Sequence, residues 1–229
     1  MKKETVRGYI EDIGVIPAVR VSSAEDALFA TEAVSRGGIP IVEVELTVPG
    51  AIKVISYLVK NAPDMVVGAG SVLNAESARA CLDAGASFLT SDGLDLGLVE
   101  FAVKQEVVVF PGVLTPTELM IAWKAGCDFV KVVPCAQVGG DSYIRTLKGP
   151  FPDVPIIAAG GVNQQNATNF ILSGAMALGI GGELVPKESI RLRQPERIAE
   201  LARRFLDFVK NGRADRLARR APLDYPIQA

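Results

Sequence analysis

A single lysine interrupts an apolar run near the middle of the chain. Residues 128–134 read Asp-Phe-Val-Lys-Val-Val-Pro, a pattern typical of a buried strand with Lys131 at its centre. Burial of an ammonium group is costly, so Lys131 needs either a partner or a chemical role. One alternative is a structural ion pair with a buried carboxylate. The other is an amine kept partly neutral by burial, which attacks a carbonyl carbon and forms a Schiff base.

Two glutamates on an earlier predicted strand are candidate partners for this lysine. One face of that strand is aliphatic, and the other carries Ile41, Glu43, Glu45 and Thr47. We expect the polar face to point into the protein interior, where carboxylates need partners or raised pKa values. Glu43 or Glu45 then either neutralises Lys131 or moves protons beside it.

The 229-residue chain contains no histidine. A general base must therefore be Asp, Glu, Lys, Tyr or Cys, and both a Ser-His-Asp triad and a histidine-ligated zinc site are excluded. The three cysteines lack metal-ligand spacing and predict reduced thiols in a cytoplasmic protein.

Eight short apolar runs recur at nearly even spacing, each followed by a helical pattern. They are residues 15–19, 41–46, 65–68, 87–90, 107–110, 129–133, 155–158 and 177–180. The alternation predicts parallel pairing, and eight units at this length predict an α/β fold, a single (β/α)8 TIM barrel. The alternative is an open doubly wound sheet. Its usual glycine-rich loop is missing after the first strand, where the sequence is Val-Arg-Val-Ser.

The predicted barrel domain spans residues 1–210. It begins with a short helix over residues 1–13 and ends with a helix from about Pro195 to Lys210, and residues 211–229 form a polar, Arg-rich tail. The net charge of −2 gives no electrostatic support for nucleic-acid binding. No run has the length of a membrane span or signal peptide, so we expect neither a membrane partner nor secretion.

The site of a barrel lies where its strands end. Arg20 ends the first strand, and a Gly-Ala-Gly turn followed by Ser71 comes after the third. Ser71 is a candidate for holding a carboxylate. Paired glycines, Gly160-Gly161 and Gly181-Gly182, follow the seventh and eighth strands, which is the usual phosphate position of this fold.

Five segments together resemble the KDPG/KHG aldolase family: residues 41–49, 67–72, 110–119, 129–134 and 160–162. The resemblance covers about residues 10–210. It implies a class I aldolase that releases pyruvate from 2-keto-3-deoxy-6-phosphogluconate or 2-keto-4-hydroxyglutarate. It also implies a (β/α)8 barrel, a homotrimer, and a reaction that needs no metal or organic cofactor.

The resemblance also implies roles for individual residues. Lys131 matches the Schiff-base lysine, and Glu43, not Glu45, matches the acid/base glutamate. Ser71 falls where the family has a threonine that holds the substrate carboxylate, and Arg20 matches an arginine that faces the substrate anions. The phosphate loop is matched by Gly160, Gly161, Gly181 and Gly182.

Four residues depart from the family pattern. Thr47 stands where some members have a carboxylate-binding arginine, and Asp92 stands where a proline beside the pocket is common; both remain candidate substrate-binding residues. Gly182 replaces a phosphate-binding serine, and Ala159 replaces a threonine linked to stereochemistry at C4. Two alternatives therefore stay open: a phosphate-binding barrel enzyme without a covalent intermediate, and a ligand-binding relative without activity.

Overall fold

The computed structural model describes residues 1–220, which form a barrel of parallel strands surrounded by helices. The strands are β1 (Val15–Val19), β2 (Ile41–Glu45), β3 (Val66–Gly70), β4 (Phe88–Thr90), β5 (Val108–Phe110), β6 (Gly112–Val113), β7 (Val130–Val132), β8 (Ile156–Ala159) and β9 (Ala177–Ile180). Every strand is short and almost fully buried, as expected when helices cover the outside of a parallel sheet.

The barrel closes at a proline. The strands are ordered β5-β4-β3-β2-β1-β9-β8-β7-β6, so β5 and β6 stand at the two ends of this order. Only Pro111 separates these two segments in the chain. Its carbonyl oxygen accepts the backbone N–H of Lys131 at 2.9 Å, although proline has no N–H to donate. β5 and β6 therefore act as one barrel strand, and the predicted (β/α)8 barrel is confirmed.

Helices alternate with the strands. Within residues 1–220 they are α1 (Lys3–Ile13), α2 (Ala24–Arg36), α3 (Ala51–Asn61), α4 (Ala75–Asp83), α5 (Leu96–Lys104), α6 (Pro116–Lys124), α7 (Gly140–Lys148), α8 (Ala167–Leu172), α9 (Lys187–Arg191) and α10 (Pro195–Arg220). Several helices begin at residues whose side chains cap the helix, and these residues can be recognised from the sequence. Ser23 accepts the N–H of Asp26, and Thr115 with Glu118 completes a capping box on α6.

Two helices cover the N-terminal end of the barrel. α1 buries Val6 and Ile10 there, and its Lys3 pairs with the buried Asp128 at 3.0 Å. α10 contacts α2 and α8, and its Arg213 donates to the carbonyl of Asp12 at 2.6 Å. Both helices therefore leave the opposite end of the barrel open.

The last helix is longer than predicted. It continues past Lys210 to Arg220, because Gly212 packs closely against Ile171 and Arg213 donates to backbone carbonyls of the barrel base. The predicted end of the last helix near Lys210 is therefore wrong, and residues 211–220 of the polar, Arg-rich tail continue that helix. Residues 221–229 of that predicted tail lie outside the described residues.

The structure also departs from the predictions at β3 and at α9. β3 extends past the predicted end at Gly68, so Ala69 and Gly70 belong to the strand and not to a turn. The five-residue α9 was not predicted, since it is too short to show a helical period.

None of the helices in residues 1–220 contains an apolar stretch that could span a bilayer. Cys81, Cys127 and Cys135 are buried and form no disulfide.

Candidate active site

A cavity of about 360 Å³ opens at the C-terminal ends of the strands. Its charged lining side chains are Arg20, Glu43, Glu45, Asp92, Lys131 and Lys187. A larger hollow of about 650 Å³ lies beside α10, but the charged groups that line it are all exposed. Buried ionisable groups in a concave space are the physical mark of a reactive site, so the smaller cavity is the candidate active site.

Lys131 projects from β7 into this cavity and is 4% exposed. Its amine donates hydrogen bonds to Oγ1 of Thr90 at 3.1 Å and to Oδ1 of Asp92 at 3.0 Å. Oε1 of Glu43 lies 3.9 Å from the same nitrogen. The lysine therefore has two carboxylate partners and still faces open space. This arrangement is compatible with both interpretations of Lys131, as an ion-paired lysine and as a reactive amine.

Glu43 comes from β2 and is 3% exposed. Thr90 donates a hydrogen bond to its Oε1 at 2.8 Å. Burial raises the pKa of Glu43 from 4.5 to about 7, although the charge of Lys131 and the Thr90 hydrogen bond act in the opposite direction. A carboxyl group with a pKa near neutrality can both donate and accept protons under physiological conditions.

Gly70 gives this carboxylate its space. A Cβ atom at position 70 would lie 2.2 Å from Oε1 of Glu43, and one at Gly68 would lie 2.2 Å from the ring of Phe88. The missing side chains at these two positions therefore make room for a glutamate and an aromatic ring from neighbouring strands.

A second group of charges lies at the rim. Arg20 follows β1, and its Nη2 lies 3.4 Å from Glu45, 3.4 Å from the Ser71 hydroxyl and 3.5 Å from Asp92. The Ser71 hydroxyl contacts a carboxylate oxygen of Glu45 and lies 2.9 Å from Oδ2 of Asp92. Glu45 is thus paired with Arg20 and Ser71 and not with Lys131.

Asp92 connects the two groups of charges. It follows β4, and its side chain is 46% exposed. Burial alone would raise the pKa of Asp92, but the charge of Lys131 and hydrogen bonds from Lys131 and Ser71 outweigh burial, so its pKa lies below the ordinary value. The sequence placed Asp92 beside the pocket without predicting this contact with the lysine.

The predicted phosphate glycines follow β8 and β9. Gly160, Gly181 and Gly182 line the cavity. Gly161 does not line it, but it shares with Gly160 a positive φ, +81° against +78°, that side chains disfavour. The Lys187 side chain reaches the cavity from α9.

The predicted site residue Thr47 lies away from the cavity. Thr47 is exposed in the turn after β2 and is not among the residues that line the cavity. The alternation of inward and outward side chains stops at Glu45, where the strand ends. The expectation that Thr47 continues the inward-facing polar face was therefore wrong.

Sequence reasoning missed two residues here. Thr90 bridges Glu43 and Lys131, and its position at the end of an apolar run was the one available signal. Lys187 follows the Gly181-Gly182 turn by five residues, close enough in sequence to have been considered.

Among residues 1–220, no three His, Cys, Asp or Glu side chains are grouped so as to hold a metal ion. The arrangement instead offers an amine, a proton-transfer carboxyl group and cationic side chains within one cavity. This combination of groups is expected in an enzyme that forms a Schiff base with an anionic carbonyl compound.

Comparison with known proteins agrees with this class of site. The KDPG and KHG aldolase family matches residues 6–201. The KHG/KDPG aldolase of Escherichia coli K12 is 31% identical over 197 residues, which cover 86% of this chain and 92% of the relative. The chain belongs to the KDPG and KHG aldolase family.

Two solved structures of family members superpose over most of the chain. The KDPG aldolase of Legionella pneumophila, with pyruvate captured as a covalent carbinolamine, has a TM-score of 0.81 and 33% identity, covering 86% of this chain and 96% of that one. The 2-keto-3-deoxy-6-phosphogluconate aldolase of Zymomonas mobilis, with 3-phosphoglycerate, also has a TM-score of 0.81, with 29% identity and 90% and 97% coverage.

Proposed function

We propose that this protein is a class I aldolase, a carbon–carbon lyase that cleaves a 2-keto-4-hydroxy acid to pyruvate and an aldehyde. The observation that carries the proposal is the placement of Lys131 and Glu43 in one cavity, with 3.9 Å between amine nitrogen and carboxylate oxygen. At that separation, a substrate carbonyl carbon bonded to the amine of Lys131 lies close enough to Glu43 for proton transfer, either directly or through one water molecule.

The reaction begins with attack of the unprotonated Lys131 amine on the C2 carbonyl carbon. The carbonyl oxygen takes up a proton, and the nitrogen gives one up, to form a neutral carbinolamine. Glu43 in its protonated form then donates a proton to the C2 hydroxyl group, which leaves as water. The product is an iminium ion, which draws electrons toward C2.

Carbon–carbon cleavage uses Glu43 in its ionised form. The carboxylate removes the proton of the C4 hydroxyl group, directly or through water, and the C3–C4 bond breaks. Its electron pair moves into the iminium system and leaves a pyruvate enamine, while C4 departs as an aldehyde. Protonation at C3 and hydrolysis of the resulting imine release pyruvate and regenerate Lys131.

We propose 2-keto-3-deoxy-6-phosphogluconate and 2-keto-4-hydroxyglutarate as the substrate candidates, because the relatives are named for them. The aldehydes are glyceraldehyde 3-phosphate and glyoxylate, respectively. The same enamine chemistry permits slow decarboxylation of oxaloacetate. All these steps use protein side chains, so we propose that no metal or organic cofactor takes part.

Borohydride trapping tests the covalent step. Reduction in the presence of pyruvate should fix an adduct on Lys131, located by peptide mass spectrometry, and Lys131→Ala should abolish it. Lys60→Ala, which changes an exposed lysine on α3, is the matched control and should retain the adduct. An adduct on another lysine would overturn the assignment, and no adduct at all would favour Lys131 as a non-covalent clamp for an anion.

We also propose a homotrimer in the cytoplasm. Met120, Ile121 and Trp123 leave α6 with an exposed apolar surface that a second copy could cover. The buried unpaired cysteines fit a reducing compartment. Light scattering coupled to gel filtration should give the mass of three chains, and a monomer would contradict the assembly.

A further inference from the structure

Asp92 occupies the position that an incoming keto acid needs. Its Oδ1 accepts a hydrogen bond from the Lys131 amine at 3.0 Å, and its Oδ2 lies 2.9 Å from the Ser71 hydroxyl and 3.5 Å from Arg20. A pyruvate imine on Lys131 carries its own carboxylate carbon only two bonds from the lysine nitrogen. The substrate carboxylate and the Asp92 carboxylate therefore compete for the same hydrogen-bond donors.

The donors cannot serve both carboxylates at once. Ser71 has a single hydroxyl proton, which already faces both Glu45 and Asp92. Lys131 loses two of its three ammonium protons when it becomes an iminium nitrogen, and Thr90 competes for the remaining N–H. Two carboxylates already surround Arg20, and a third would add repulsion between like charges.

The Asp92 side chain can move away from Lys131 and Ser71 without a movement of its loop. The backbone of Asp92 packs against Gly112, where a Cβ atom would lie 2.4 Å from the Asp92 carbonyl carbon. Ser91 donates to the carbonyl of Gly93 at 2.7 Å, which also holds the loop. The side chain itself is 46% exposed, so a rotamer change carries the carboxylate toward water.

We infer that Asp92 is a specificity-determining residue that competes with the substrate carboxylate for Lys131, Ser71 and Arg20. It weakens the binding of carbonyl compounds that carry a carboxylate next to the carbonyl group, and it has no such effect on carbonyl compounds without one. This inference rests on the proposed function, because it concerns the same amine and the same keto acid.

Trapping with two carbonyl compounds tests the inference. The borohydride-fixed adduct is titrated with pyruvate and, separately, with hydroxyacetone, which lacks the carboxylate. Asp92→Asn and Asp92→Ala should both lower the half-saturating pyruvate concentration about threefold to tenfold. Their half-saturating concentration of hydroxyacetone should stay within about twofold of the wild-type value, because no carboxylate competes there.

Glu183→Gln is the control for net charge, since it removes one carboxylate from an exposed residue next to the cavity-lining Gly182. It should leave both titrations unchanged. An unchanged pyruvate titration in both Asp92 variants, or a reduced rate of adduct formation with both compounds, would overturn the inference in favour of a proton-transfer or structural role. Absence of an adduct in the wild-type protein would overturn the proposed function instead.

Discussion

The Thr90 hydroxyl donates a hydrogen bond to Oε1 of Glu43 at 2.8 Å, and both side chains are nearly inaccessible to solvent. The same hydroxyl oxygen accepts a proton of Lys131 at 3.1 Å. One hydroxyl group therefore fixes which glutamate oxygen faces the amine. It also stabilises the ionised form of Glu43 against the effect of burial.

Thr90→Val should weaken catalysis through Glu43. Valine has nearly the shape of threonine but cannot donate, so the pKa of Glu43 should rise above its value of about 7. We expect a lower turnover and a shift of the acidic limb of the pH–rate profile to higher pH. Thr90→Ser keeps the hydroxyl and should restore the limb, whereas coincident limbs in all three proteins would show that Thr90 does not act on Glu43.

Glu43→Gln should separate binding from turnover. Glutamine preserves shape and can accept a hydrogen bond but cannot transfer a proton, so turnover should fall roughly 10²–10⁴-fold while the trapped pyruvate adduct still forms. Steady-state release of pyruvate and mass spectrometry of the adduct measure the two quantities. Unchanged turnover would assign proton transfer to Glu45 or to water.

The raised pKa of Glu43 also predicts a pH-dependent stability. Between the ordinary value of 4.5 and about 7, the folded protein holds a proton on Glu43 that the unfolded chain has lost. This group therefore makes the wild-type protein less stable as pH rises through that range. Glu43→Gln lacks the effect, so its melting temperature minus that of the wild type should become more positive from pH 5 to pH 8. A difference that stays constant across this range would contradict the raised pKa.

Lys187 should affect the distal end of the substrate. Its side chain lines the cavity beside Gly181 and Gly182, and within residues 1–220 that side chain has neither an ion pair nor a hydrogen bond. Lys187→Ala should raise the KM for a phosphorylated 2-keto-4-hydroxy acid about tenfold and change pyruvate trapping little. Lys187→Arg should retain most of the affinity. An equal rise in KM for phosphorylated and unphosphorylated substrates would rule out phosphate contact.

Much of this site could be predicted because strand geometry is simple. Alternation along the second strand turns Glu43 inward, and parallel barrel strands bring their ends together, so its meeting with Lys131 followed from pattern and topology. Thr47 escaped the same rule, since the alternation holds only while the strand continues, and β2 ends at Glu45.

Other features depend on contacts that no local pattern records. Thr90 acquires its position from hydrogen bonds to two other strands, and Lys187 reaches the cavity from a five-residue helix without a detectable period. The extension of α10 depends on Arg213 reaching carbonyl groups about 200 positions away in sequence. Long-range pairings of this kind can be identified only from the three-dimensional structure.

The charged lining of the cavity contains three cationic and three carboxylate side chains. Because these charges nearly cancel, the mouth of the barrel produces only a weak long-range field, unlike a site that draws anions by electrostatic steering. Encounter with an anionic keto acid should then proceed at a rate that depends little on ionic strength. The protein recognises the ligand only after contact, when the ligand carboxylate displaces the Asp92 carboxylate from its partners.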